Sequence, residues 1–381
     1  MTSLLVVHPF LPSYRRPFFD RVDTALCELG WDFGVVDSDA PPSISGRGDR
    51  SAGNWVVPTR TRWVPVGNRA LAYRHLRRPI KAQAADLVVV EQGIRNLESY
   101  PLLARQHVGG PSVAMWGHGR SYSTPQGPRA ADLKQYLTRR SQWFFAYTQA
   151  GADHVVANGF PATRISVLNN TIDTASLRHD LEAVSDDDVD AFSRRHGLTP
   201  GRTALFLGGV DKAKGIDFLL ESARQAAQAF PGFVLLVGGA GAQLVDVQAA
   251  EHSGAPVRAL GRLDGAEKAL ALTAADVLAI PEWIGLVAVD SLVAGRPIVS
   301  TCHPSHSPEH EYLEPGRTAD FVQHDPISYA EGLVNLLTNT DRLQTMQTRC
   351  VEESAKYSLH HMVDAFVEGV LAWDDVRRAG L

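Results

Sequence analysis

Two acids at a fixed interval, Glu282 and Asp290, are the side chains best placed in this sequence to do chemistry. Seven residues separate them, Trp-Ile-Gly-Leu-Val-Ala-Val, with Gly285-Leu286 near the middle. A carboxylate accepts hydrogen bonds from hydroxyl groups, so the pair suits recognition of a polyhydroxylated ligand. A solvated loop Glu and a helix-surface Asp would give the same letters, and spacing alone leaves both readings open.

The flanking residues say how the acids must be held. Residues 277–280 are a short apolar run that fits a buried parallel strand, and Pro281 ends it. Leu286, Val289 and Val293 then recur at helical spacing, Gly295 closes the helix and Pro297 follows. Residues 298–301 read as the next strand. In such a β-loop-α-β unit the loop and helix start lie at the carboxyl edge of the sheet, where open α/β folds bind ligands. The N–H groups of Gly285, Leu286 and Val287 would face an anion, most simply a phosphate. Asp290 falls about one and a half turns into the helix.

A second candidate phosphate site lies upstream. Residues 204–207 are apolar, Gly208 and Gly209 follow, and Lys212 and Lys214 precede a helix that starts at Ile216. Glycines let a backbone approach phosphate closely, and lysines supply charge. The later run Val-Gly-Gly-Ala-Gly, ending at Gly241, has the wrong spacing for a dinucleotide fingerprint.

Glu282, Gly285-Leu286, Asp290 and Gly295-Arg296-Pro297 together resemble the donor-site signature of glycosyltransferase family 4. The usual second acid is Glu, so Asp290 is a departure that shortens the reach by one methylene. The resemblance implies a GT-B fold, with two Rossmann-like domains facing each other across a cleft. It implies that Glu282 contacts the donor sugar and Asp290 the nucleotide ribose. It makes Lys214 a ligand of the donor diphosphate, within a Gly208-Gly209-Val-Asp-Lys212-Ala-Lys214-Gly215 turn. Gly209 stands where the family has Arg, so either Lys212 or Arg262 supplies the substitute cation or donor binding is weakened or altered. The backbone at Arg262 and Leu263 is implied to read the base. Pro308-Glu309 matches the end of a further family loop, and residues 169–173 resemble the element that closes the first domain.

The first half of the chain matches more loosely. Residues 4–7 form a first strand, a loop carries Tyr14, Arg15 and Arg16, and Pro17 opens a helix with Phe18, Val22 and Leu26 on one face. Such a loop overlies the sheet edge, so these three residues are acceptor-side candidates; two exposed arginines at a helix start are the plainer alternative. The pattern resembles a subgroup of the same family. His118, between Gly117 and Gly119 after an apolar strand, resembles the first-domain His that contacts the donor sugar. Residues 68–81 read as a basic helical stretch broken at Pro79, a solvated face or a contact for an anionic membrane surface. Residues 40–54, rich in Pro, Gly and Ser, read as a mobile loop.

Composition bounds the rest. The chain has 381 residues, too many for one ordinary core, and 44% of them are hydrophobic. No run approaches the ~20 apolar residues of a membrane helix. Three scattered cysteines argue against a disulfide framework and for a reducing compartment. The start has no basic leader, and a cytoplasmic location is expected, with peripheral contact at the inner face of a membrane as a second possibility. Residues 1–180 carry 21 Lys and Arg against 14 Asp and Glu, and the remainder carries 16 against 28. A basic first half and an acidic second half fit two domains with different partners, although drift between two solvated surfaces would do the same.

The domains expected are 1–175 for the acceptor, a connector at 176–200, 201–360 for the nucleotide sugar, and a helix at 361–381 returning to the first domain. The resemblance implies a retaining transfer of sugar from a UDP-, GDP- or ADP-linked donor to a hydroxyl of a glycan, glycolipid or small molecule. His118, Lys214 and Glu282 would carry it. No metal, cofactor or nucleic acid is expected. His303, His306, His310 and Cys302 fit no closed zinc template. A GT-B nucleotide-sugar epimerase and a catalytically silent sugar-nucleotide-binding protein are the rival readings.

Overall fold

Apolar runs and glycine turns alternate along this chain, and each run becomes a buried parallel strand. The computed structural model describes residues 2–8, 11–38, 53–67, 69–120, 122 and 127–380. The expected loop at 40–54 falls almost wholly outside them. The chain divides into two compact units, Met1–Ile172 with Leu359–Leu381, and Asp173–Ser358.

The first unit holds strands β1 (Ser3–Val7), β2 (Asp32–Asp37), β3 (Val56–Pro58), β4 (Thr61–Val66), β5 (Arg69–Arg74), β6 (Leu87–Glu91), β7 (Ser112–Gly117), β8 (Trp143–Ala146) and β9 (Ile165–Val167). Seven of them form a sheet in the order β3-β2-β1-β6-β7-β8-β9. Every neighbouring pair is parallel. The strand order reverses between β1 and β6. Pro17 does lie in the first turn of a helix, Arg16–Glu28, which buries Phe18, Phe19, Val22 and Leu26. The last helix, Leu359–Arg378, packs on that helix and on β8 and β9. Its Phe366 meets Phe18, Trp116 and Phe145 with ring centroids 4.7–5.5 Å apart. Gly369 permits the approach: a Cβ there would sit 2.2 Å from Ser166 Oγ.

The second unit holds β10 (Thr203–Leu207), β11 (Val234–Gly238), β12 (Val257–Gly261), β13 (Val277–Ala279), β14 (Ile298–Thr301) and β15 (Ala319–Val322). Their order is β12-β11-β10-β13-β14-β15, again all parallel. This sheet reverses direction between β10 and β13. Residues 176–200, expected as a helical connector, fall within this unit. They form helices Thr174–Glu182 and Asp186–His196, which pack on helices Gly265–Ala274 and Val287–Ala294. Their acidic letters reflect capping: Ser185 and Asp188 close a capping box, and Asp186, Asp187 and Asp188 occupy the first turn.

The basic stretch at 68–81 is not one helix. Arg69–Arg74 is strand β5, paired antiparallel with β4 through a turn at Gly67, whose φ is +60°. Helix Arg77–Gln83 follows, and Pro79 sits in its first turn, where the missing N–H costs nothing. The reason is a period of two that the charges hide: Ala72 and Arg74 are buried while Tyr73 between them is exposed. Arg74 is only 2% exposed and pairs with Glu98, 4% exposed. It also donates to Asn96 Oδ1 (3.3 Å) and takes no part in a cationic surface. Removing one partner of a buried pair leaves the other charge uncompensated. Glu98→Ala is therefore expected to destabilise the first unit by about 3–5 kcal/mol in denaturant unfolding, with most of the loss recovered when Arg74→Met is added. A loss below about 1 kcal/mol for the single change would contradict this reading.

Candidate active site

The site residues of the second unit come from loops on either side of its strand-order reversal. After β10 the chain makes a glycine turn at Gly208 and Gly209, then a short turn of helix at Lys212–Lys214, then Gly215 in the left-handed region at φ +68°. Val210 N–H and carbonyl bond Ala240 and Gln243, which fixes the turn against the loop after β11. The two loops touch: a Cβ on Gly239 would lie 1.8 Å from the Gly208 carbonyl oxygen. Leu263 fills the space beside Gly238, where a Cβ would lie 2.5 Å from its Cδ1.

After β13 the loop carries Glu282 and Trp283. Trp283 is held at φ +53°, a conformation that bulky residues rarely adopt. Three bonds pin it there. Its N–H donates to Ser305 O (3.0 Å). Its carbonyl accepts from Lys214 Nζ (2.8 Å). The next N–H, of Ile284, donates to His306 Nδ1 (3.2 Å). Lys214 therefore ties the β10 loop to the β13 loop. Lys212, two residues earlier, is exposed. The Glu282 carboxylate lies against Gly215, where a Cβ would be 2.9 Å from Oε1.

The helix that follows, Val287–Ala294, starts late enough to put Asp290 in its first turn and not one and a half turns in. Ala288 and Val289 donate to Gly285 and Leu286 carbonyls. Among the described residues, the N–H groups of Gly285, Leu286 and Val287 themselves are not used within the protein. Asp290 is paired with Lys268 (2.9 Å), from helix Gly265–Ala274. Burial works against the Lys268 charge, but Asp290, with Asp264 and Asp180, outweighs it and its pKa is raised. Arg262 pairs with Asp264 (2.8 Å) and is exposed.

Several participants carry no signal in spacing. His324, just past β15, places Nε2 3.4 Å from Glu282 Oε1 and stacks flat on Phe218. Thr301 donates its hydroxyl to Pro281 O (2.7 Å) and faces His324 Nδ1 (3.1 Å). That hydroxyl has one proton, so His324 Nδ1 must be the donor of the second bond. His303 joins them, and Glu282, His303 and His324 offer ligand atoms within 4.8 Å of one another. Ser305 N–H donates to His303 Nδ1 (3.2 Å), which puts the His303 proton on Nε2. In that tautomer His303 is a hydrogen-bond donor and not a metal ligand. The rule that open sheets bind ligands past their strand ends would have found His324; its position, not its neighbours, is the clue.

His306 is structural. It is 6% exposed, accepts from Ile284 N–H at Nδ1 and faces Thr301 O (3.1 Å) from Nε2. Only the neutral ring satisfies both, and burial pulls its pKa down to about 4.

In the first unit His118 follows β7 and stacks on Tyr147 at 4.4 Å. Crowding by protein, then Lys134 and Arg15, lowers its pKa. Its ring is open to solvent, which screens part of that effect; the imidazole is neutral at pH 7. The acceptor-side candidates are dispersed. Tyr14 is exposed and Arg16 pairs with Asp20 (3.3 Å). Arg15 is not available on a surface: it is 2% exposed, its guanidinium 5.4 Å from Trp116 and 5.6 Å from Tyr147. A loop position next to a sheet edge favours surface exposure, but three aromatic rings offered this guanidinium a better place.

Residues 201–339 match the family model Glycosyl transferases group 1. The match lies wholly within the second unit. It is 34% identical over 167 residues to a phosphatidyl-myo-inositol mannosyltransferase of Mycobacterium tuberculosis, covering 40% of this chain and 43% of that protein. It is 28% identical over 243 residues to a D-inositol 3-phosphate glycosyltransferase of Nocardia farcinica, covering 58% and 53%. The matches thus span about half the length of these relatives. Among solved structures it is similar to Anabaena Alr3699/HepE in complex with UDP-glucose, with TM-score 0.69, 15% identity, and 98% and 100% of the two chains covered. Sucrose-phosphate synthase from Thermosynechococcus elongatus aligns with TM-score 0.69 and 13% identity over 100% of both chains. These likenesses give the fold, and the fold is GT-B.

His306 yields a test of the site's construction. A His pKa depressed in the folded state adds stability that is present above the unfolded value of 6.5 and is lost as pH falls towards about 4. The lost stability is on the order of 3 kcal/mol. His306→Asn is expected to lower Tm at pH 7.5 and to flatten the decline of Tm between pH 6.5 and 4.5. Equal declines in both proteins would exclude His306 as the acid-sensitive pin.

Proposed function

We propose that this protein is a retaining glycosyltransferase that moves a sugar from a nucleotide-diphosphate donor to an acceptor hydroxyl. One observation carries the reading. Lys214, the Glu282 carboxylate and the unused N–H groups of residues 285–287 converge on the strand-order reversal of the unit that matches the family.

The roles follow from charge. A diphosphate leaving group gains negative charge as the glycosidic bond breaks. Lys214 and the three N–H groups oppose that charge in a fixed array, and such preorganised stabilisation can be the largest catalytic term. Glu282 holds donor-sugar hydroxyls, with His324 and His303 beside its carboxylate. Asp290 reaches the ribose while paired with Lys268, which compensates its charge. The neutral His118 hydrogen-bonds the reacting sugar. The leaving phosphate takes the acceptor proton, and no metal or cofactor is assigned a part. UDP-linked sugars are the first donors to try, because UDP-glucose occupies the similar Anabaena structure. Hydroxyls of inositol-bearing glycolipids are the first acceptors, after the mannosyltransferase relative. No helix is long and apolar enough to cross a membrane among the described residues. Contact with a membrane would fall to the exposed Arg77 and Arg78 and not to Arg74.

Turnover separates this reading from its rivals. With an α-linked donor and a matching acceptor, the product should be α-linked by NMR. Lys214→Ala should lower kcat by about 10²–10³-fold. A sugar nucleotide converted to its epimer without an acceptor would overturn the reading in favour of an epimerase. Tight nucleotide binding with neither transfer nor hydrolysis across UDP-, GDP- and ADP-sugars would overturn it in favour of a silent binding protein.

A further inference from the structure

Lys268 enters the proposed mechanism only as a counter-charge. It stands on helix Gly265–Ala274, and its Nζ donates to Oδ1 of Asp290 on helix Val287–Ala294 (2.9 Å). The two helices pack on each other, and both pack on helix Thr174–Glu182. All three belong to the second unit. Neither side chain is sealed: 25% of Lys268 and 13% of Asp290 remain accessible.

The bond between them leaves hydrogen-bonding capacity unspent. A carboxylate has two oxygens and an ammonium three protons. Among the described residues Asp290 Oδ2 accepts no hydrogen bond, and Lys268 Nζ donates no second one. Burial opposes the ammonium charge, but Asp290, with Asp264 and Asp180, outweighs it, and the donor persists as a cation. An acceptor and a donor thus stand side by side, each with a bond to give.

Their place decides what could meet them. Asp290 lies in the first turn of its helix, roughly 5 Å of rise beyond the unused N–H of Val287. Helical side chains lean towards the N-terminus, which brings the carboxylate back towards those N–H groups. An anion on the helix start therefore has the pair as a neighbour, and in a nucleotide the group next to the phosphate is the ribose. Each of its two neighbouring hydroxyls can donate and accept. A second phosphate would meet Asp290 with like charge, a metal ion would meet Lys268 with like charge, and an apolar group would leave both unpaired. Asp290, with one oxygen committed to Lys268, has a single oxygen left for one hydroxyl. The four-carbon stem of Lys268 brings a donor to the other. We infer that Lys268 is a specificity-determining residue for the nucleotide: it donates to one ribose hydroxyl while Asp290 Oδ2 accepts from the other, so that both are read. The inference rests on the nucleotide half of the proposed transfer and not on the transfer itself.

The test is calorimetry of the full chain with UDP, GDP and ADP and with the 2′-deoxy and 3′-deoxy forms of each, in the wild type and in Lys268→Met. The wild type should bind one parent diphosphate at least about tenfold more tightly than either of its deoxy forms. In Lys268→Met one of these two penalties should shrink below about threefold while the other stays. A pair that merely ties the helices would weaken all three ligands by one common factor, and that result overturns the inference. So does a wild type with a penalty at only one position or at neither, a result that needs no variant to fold. Transfer assays with the sugars of the three diphosphates run alongside. Both penalties without transfer would leave this inference standing and overturn the transfer reading. Transfer without the two penalties would overturn this inference alone, and a wild type that binds none of the diphosphates would overturn both.

Discussion

The second unit depends on one bond, from Lys214 Nζ to the carbonyl of Trp283. It joins the loop after β10 to the loop after β13, the two loops that border the strand-order reversal. Trp283 accepts a left-handed backbone to offer that carbonyl, at a cost of order 1–3 kcal/mol. Ser305, and His306 through the neighbouring Ile284 N–H, hold the loop from the other side. The result fixes Glu282 against Gly215 and keeps the first N–H groups of helix Val287–Ala294 pointing away from protein acceptors. Without that bond the cation, the acid and the helix start would be three separate features.

The parts of this arrangement that sequence spacing made legible are local. The strand over 277–280, the helix closed by Gly295, and the lysine pair before Ile216 follow from apolar period and glycine position. The partners that complete the site are distant in sequence. Lys268 reaches Asp290 from the preceding helix, and His324 reaches Glu282 across two strands. No periodicity relates such residues; only the sheet order does. The hairpin at β4 and β5 escaped for another reason. Its arginines suggested a solvated helix, but Arg74 points inward to Glu98, and a buried charge breaks any rule that reads charge as exposure. Arg15 reverses the same rule among aromatic rings.

Each unit places charged and hydrogen-bonding side chains at the carboxyl edge of its own parallel sheet, beside its own reversal of strand order. The second is supplied with a cation and free N–H groups, which suit phosphate. The first is supplied with a neutral imidazole, that of His118.

The central claim is that Lys214 and the helix start recognise the second phosphate of a nucleotide. Calorimetry of UDP against UMP, GDP against GMP and ADP against AMP tests it directly, in the wild type and in Lys214→Ala. One diphosphate should bind at least about tenfold more tightly than its monophosphate, and Lys214→Ala should erase that difference while leaving the monophosphate affinity nearly unchanged. Equal affinity for the diphosphate and monophosphate, or a preference that survives in Lys214→Ala, would contradict the account.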